Sequence, residues 1–202
     1  MPETRRNASF RAMLPRDRRP PAALPAALIL VLAVAACDDP FAAFLGDVPL
    51  TPTETTLFDY QTARIQDPPA FDIVRAVPAR VDQTLHWDFL FQIRAGVPEL
   101  VPFSAAADSV TDSGLQVTDE RFEEVLEAPE EGYTLNSPVP VRPGDVLIGR
   151  SRVDPTQFLA CSRYAKLRIL DVDLEAGTLT FEHLVNPNCG DTVLEPGEHG
   201  SL

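Results

Sequence analysis

The chain has few basic residues, few histidines and none of the common catalytic motifs. Its 17 Lys and Arg against 30 Asp and Glu give a formal net charge of −13, which opposes the attraction to phosphate on which nucleic-acid binding depends. Its three histidines lack the spacing of a zinc hydrolase, and no nucleophile elbow, phosphate-binding loop or dinucleotide fingerprint occurs. We therefore predict no nucleic-acid partner, no metal site, no cofactor and no catalytic residue. An enzyme is unsupported, although composition alone does not exclude one.

The chain also lacks an apolar run long enough to cross a bilayer. The longest, residues 26–36, has eleven residues, about 16 Å as a helix and roughly half of the hydrocarbon core. Six arginines precede it, against only Glu3 and Asp17. A positive head followed by a short apolar run is typical of an export signal. Met13 is an alternative start that would make this signal more compact.

The run ends in Val34-Ala35-Ala36-Cys37, which resembles the lipobox of bacterial lipoproteins. The resemblance implies that Cys37 receives a diacylglyceryl group on its thiolate, that residues 1–36 are removed, and that the new amino group is acylated. Acyl chains of the palmitate type make a stable membrane anchor. We therefore predict a signal peptide over 1–36, a lipidated tether over 37–57, and a domain over 58–202 in the bacterial cell envelope. A generic signal peptide with an incidental cysteine is the alternative.

The remaining cysteines, Cys161 and Cys189, are candidates for a disulfide, since oxidising compartments favour such bonds. Two alternating runs, 164–174 and 178–185, flank Gly177 and predict a β-hairpin. Pairing position 174 with 178 places Cys161 opposite position 191, and a bulge at 169–170 shifts its partner to 190, beside Cys189. Two free or metal-binding thiols are the alternative, but no His or Cys at finger-like spacing completes such a site.

The rest of the chain predicts a mainly β protein. Its 20 prolines disfavour long helices, and we expect a single antiparallel β-rich domain, sandwich or barrel-like, with one short helix. That helix is predicted to begin after Thr118 and to end at Pro129. The other predicted strands cover residues 71–77, 84–93, 100–103, 115–117, 138–141 and 146–152.

Three segments are similar to the C-terminal strands of HmuY-like lipoproteins, which are haem-binding surface β-proteins. They are residues 146–152 (VLIGRSR), 163–169 (RYAKLRI) and 177–183 (GTLTFEH), and Trp87-Asp88 with Phe91 resembles an earlier strand. The resemblance implies a β-rich fold and makes haem or another small ligand the alternative to an envelope-structural or binding role. His183 lies among apolar residues, which predicts a hydrogen-bonded core histidine. Neither His86 nor His183 is assigned a ligand role.

Overall fold

The computed structural model describes residues 45–107, 109–153 and 160–197. Ten strands and one short helix, which we label α1, form in these ranges. Their bounds are β1 Thr53–Phe58, β2 Ala70–Asp72, β3 Val77–Ala79, β4 Phe89–Arg94, β5 Val97–Pro102, α1 Phe103–Ala107, β6 Gly114–Thr118, β7 Val139–Pro140, β8 Val146–Arg150, β9 Tyr164–Asp173 and β10 Thr178–Val185.

The strands form two antiparallel sheets of five strands each. The first sheet has the order β1-β10-β9-β8-β6, and the second has the order β3-β2-β4-β5-β7. The prediction of a mainly β, sandwich-like domain with one short helix is confirmed, and the sheets remain open.

The main core joins the inner faces of the two sheets. Phe71 and Phe89 of the second sheet contact Phe181 of the first, with ring centroids 5.3 and 6.1 Å apart. All three rings are buried, so truncating one would cost about 3–5 kcal/mol. Smaller apolar clusters centred on Phe122 and Trp87 accompany this core. Strands β2, β4 and β8, which lie beside the charged residues described below, therefore have apolar contacts on both faces.

The β9–β10 hairpin forms where it was predicted, but its turn is one residue out of the predicted register. Asp173, rather than Leu174, pairs with Thr178, and Gly177 adopts the left-handed conformation with φ of 68°. The Asp173 carboxylate accepts hydrogen bonds from two backbone N–H groups of the turn, at 2.9 and 2.8 Å, which fixes the longer loop. The predicted bulge is confirmed, because Thr180 pairs with Asp171 while Phe181 pairs with Ile169.

The helix predicted after Thr118 is wrong. One turn forms at Arg121, whose carbonyl accepts from the N–H of Val125 at 3.3 Å, and the chain then extends. The backbone of residues 126–128 bonds instead to residues 192–194, through a bridge between Glu127 and Val193. Tertiary pairing overrides the modest helical preference of this segment.

The folded part of the chain extends into the segment assigned to the tether. β1 begins at Thr53, and Val48 is fully buried, so part of the range 37–57 belongs to the domain. Pro and Thr residues without a clear period obscured this strand in the sequence; its exposed positions are Thr53, Glu54 and Thr56. Among the described residues, no helix is long and apolar enough to cross a membrane.

Candidate functional site

The structure joins two of the three cysteines predicted to have a role. Cys161, just before β9, and Cys189, after β10, form a disulfide with Cα atoms 5.6 Å apart. Beyond the bulge in β9, the residue numbers of each pair add up to 350, as they do for Phe181 and Ile169. Continuing this register places Cys161 opposite Cys189. The third, Cys37, lies outside the described residues.

The disulfide lies beside a network that holds the first described residues in place. Asn188 accepts a hydrogen bond from the N–H of Gly46 and donates one to its carbonyl, both at 2.8 Å. Asn186 is fully buried and donates to the Asp191 carboxylate at 2.8 Å. This network is structural, since its polar atoms bond to one another.

His183 is a core residue, as its apolar neighbours in the sequence predicted. Its ring packs against Phe71 with centroids 4.7 Å apart, and its Nε2 lies 3.1 Å from the Thr55 hydroxyl. Burial lowers the pKa of His183 to about 4, so the imidazole is neutral at physiological pH. The side chain is only 4% exposed and therefore does not offer a ligand to solvent in this conformation. His199 lies outside the described residues.

His86 has a different environment. The strand predicted over 84–93 begins only at Phe89, and His86 lies in the preceding loop with an exposed side chain. It lines two clefts, of about 630 and 400 Å³. Of the two described histidines, His86 is the one that a ligand could reach.

A group of charged residues, in which both carboxylates are buried, lies beside these clefts. We call it the ion cluster; it consists of Asp72, Arg75, Asp88 and Arg152. The Arg152 guanidinium donates through NH1 to Asp88 at 2.9 Å and through NH2 to Asp72 at 3.0 Å. Asp72 also accepts from NH1 of Arg75 at 2.8 Å. Arg152 follows β8 of the first sheet, whereas the carboxylates flank strands of the second, so the ion cluster connects the two sheets.

Local backbone geometry fixes both carboxylates. Asp72 is the last residue of β2, and Asp88 directly precedes β4. Asp88 accepts from the backbone N–H of Ile73 at 2.7 Å and from that of Arg152 at 2.6 Å. Burial raises the pKa of Asp88 to about 6, while the positive charge of Arg152 opposes this increase. Asp88 itself lines neither cleft, but its neighbours Asp72 and Arg152 line one each.

The Asp88 carboxylate is not accessible to a ligand. Asp88 is 1% exposed, and its oxygens are already occupied by three donors. No group of three metal-ligating side chains occurs within the described ranges. Arg75 differs from its partners because its side chain is 56% exposed and lines the larger cleft. It can therefore donate hydrogen bonds to a ligand.

Sequence reasoning missed the ion cluster, because its members lie up to 80 positions apart. The pair Trp87-Asp88 gives no local signal that the carboxylate is buried, because neighbouring residues on an extended chain point to opposite sides. No protein-family model, curated protein or solved structure matches the chain.

Proposed function

We propose that the protein is an exported lipoprotein, anchored to a bacterial membrane through Cys37, whose β-sandwich acts as a binding module of the cell envelope. The observation that supports this most is the disulfide between Cys161 and Cys189, because such bonds persist mainly outside the reducing cytoplasm. With two of the three cysteines paired, the third is the one at the end of the apolar run.

Few residues connect Cys37 to the described domain. Leu45, the first residue that the structure describes, lies eight positions after Cys37, and a chain of that length spans at most about 28 Å. The tether is therefore shorter than the predicted 37–57 segment, and the domain would stay near the membrane surface. Residues 37–202 contain 28 acidic and 11 basic residues, which would repel anionic lipid headgroups.

Expression in a bacterial host that processes lipoproteins tests the anchor. Intact-mass analysis of the membrane fraction should show loss of residues 1–36 and addition of acyl chains, and labelled palmitate should be incorporated. The Cys37→Ser variant should incorporate no label and should keep its signal peptide. A full-length, unmodified wild-type chain in the soluble cytosolic fraction would contradict the proposal.

Haem is the alternative ligand implied by the resemblance to HmuY-like lipoproteins. The observation that favours testing it is that His86 lines a cleft of about 630 Å³. Titration with haem should then produce a shifted Soret band that is lost in His86→Ala and retained in His183→Leu. Absence of this band would leave the module with another ligand or an envelope-structural role.

A further inference from the structure

The larger cleft beside His86 brings arginine and histidine side chains together on an acidic domain. The described residues that line it include Arg75, Arg80 and His86 but only one acidic residue, Asp72. Arg80 is engaged by Asp82, through contacts of 3.1 and 2.7 Å. Arg75 is therefore the arginine of this cleft that we consider as a hydrogen-bond donor to a ligand.

One terminal nitrogen of the Arg75 guanidinium is fixed by a hydrogen bond. Its NH1 donates to the Asp72 carboxylate at 2.8 Å, and its backbone N–H bonds to the same carboxylate at 3.3 Å. Asp72 is 2% exposed and also accepts a hydrogen bond from Arg152. This end of the Arg75 guanidinium therefore has little conformational freedom. Within the described ranges, Nε and NH2 of Arg75 have no hydrogen-bond partner. A guanidinium fixed in this way loses little side-chain entropy when it binds a ligand.

His86 adds a second donor. Its Nδ1 lies 3.5 Å from NH1 of Arg75. Because a guanidinium N–H can only donate, Nδ1 is the acceptor in this long contact, and a ring proton is assigned to Nε2. The Nε2–H group has no partner among the described residues. Arg75 and His86 thus bring free N–H groups to the same cleft.

The backbone that carries Arg75 is strained. Ala76 has a φ of 55°, a backbone conformation that residues other than glycine and asparagine rarely adopt. The turn is held by a hydrogen bond from Ala76 N–H to the carbonyl of Ile73 at 3.2 Å and by one from Arg163 to the carbonyl of Val74 at 2.7 Å. Strain of this kind concentrates at ligand-binding positions.

We infer that this cleft binds an oxyanion, the carboxylate or phosphate group of a small ligand, through Nε and NH2 of Arg75 and Nε2 of His86. A planar guanidinium edge matches two oxygens of such a group. Side chains of Gln66, Gln83 and Thr84 also line the cleft and supply neutral polar contacts for the rest of the ligand. This inference rests on the proposed function of the domain as a binding module and names the ligand class of that module.

NMR titration of the full chain in mild detergent tests the inference, with succinate and inorganic phosphate as separate probes. Saturable shifts of the Arg75 Nε–H and His86 ring signals are expected with at least one probe, and the probe that binds distinguishes carboxylate from phosphate. Loss of a charge-assisted hydrogen bond should weaken binding at least about tenfold in Arg75→Gln. Arg75→Lys, which keeps the charge without the fork, should have intermediate affinity.

The matched control is Arg121→Gln, which removes an exposed arginine that pairs with Glu124 elsewhere on the domain. It should leave the affinity unchanged. Absence of saturable binding of both probes, or equal affinity in Arg75→Gln and Arg121→Gln, would overturn the inference. A processed, lipidated chain that binds neither probe would overturn this inference alone, whereas an unprocessed cytosolic chain that binds one would overturn only the proposed anchoring.

Discussion

Replacing Arg152 with methionine tests whether the ion cluster stabilises the contact between the sheets. The change keeps much of the side-chain volume but removes the donors to Asp72 and Asp88, which lie 3.0 and 2.9 Å from the guanidinium. Breaking a buried ion pair from one side costs about 3–5 kcal/mol. Because each carboxylate keeps other donors, we expect the lower end, about 3 kcal/mol at pH 7.5.

The effect should depend on pH through Asp88. Its folded-state pKa of about 6 lies above that of an unfolded aspartate, about 3.9. The folded state therefore binds more protons between these values, and the contribution of Asp88 to stability decreases as the pH rises through this window. Removing Arg152 raises the pKa of Asp88 further. The protonated carboxyl needs no cation, so the variant should lose clearly less stability at pH 5 than at pH 7.5.

Urea unfolding followed by far-UV circular dichroism at both pH values measures these free energies. The control is Arg121→Met, which removes an exposed ion pair with Glu124 and should leave the unfolding free energy nearly unchanged. A loss below 1 kcal/mol for Arg152→Met at pH 7.5, or an equal loss at both pH values, would refute the reasoning.

Three further changes test other parts of the fold. Cys189→Ser opens the 28-residue loop closed by Cys161 and should lower the unfolding free energy by about 3.5 kcal/mol; if reduction of the wild type leaves its thermal midpoint unchanged, the estimate is wrong. His183→Leu removes a group whose folded pKa is about 4, so lowering the pH from 7 to 4.5 should destabilise the wild type by about 2.5 kcal/mol more than the variant; parallel urea titrations showing no such difference would contradict its neutral burial. Gly114→Ala places a Cβ 2.8 Å from that of Tyr133 and should cost about 1–3 kcal/mol by chemical denaturation, whereas a neutral result would mean that residues 133–135 move readily.

The sequence was informative where the pattern is local. Alternation on either side of Gly177 predicted the β9–β10 hairpin, and a slip of that alternation at Leu170 predicted its bulge, which together brought Cys161 close to Cys189. The turn register was missed because the capping role of Asp173 depends on its side-chain orientation. These features require only neighbouring residues and the two-residue period of a strand.

The sequence was uninformative where distant segments compete. Residues 119–128 have the spacing of a helix, but their backbone pairs with residues 192–194, and no local pattern signals that partner. The same holds for the ion cluster. Arg152 looks like the polar end of an ordinary strand until the fold brings it between two aspartates from the other sheet.

The two hydrogen bonds between Gly46 and Asn188 determine where a force on the preceding chain acts. A force applied to the chain ahead of residue 45 is transmitted to Gly46. From there it acts on Asn188 through two hydrogen bonds. The next residue, Cys189, is bonded to Cys161, just before β9. The force is therefore transmitted to a central strand of the sheet before it can separate the edge strand β1 from β10. A force applied ahead of residue 45 would therefore act on these two hydrogen bonds before it acts on β1.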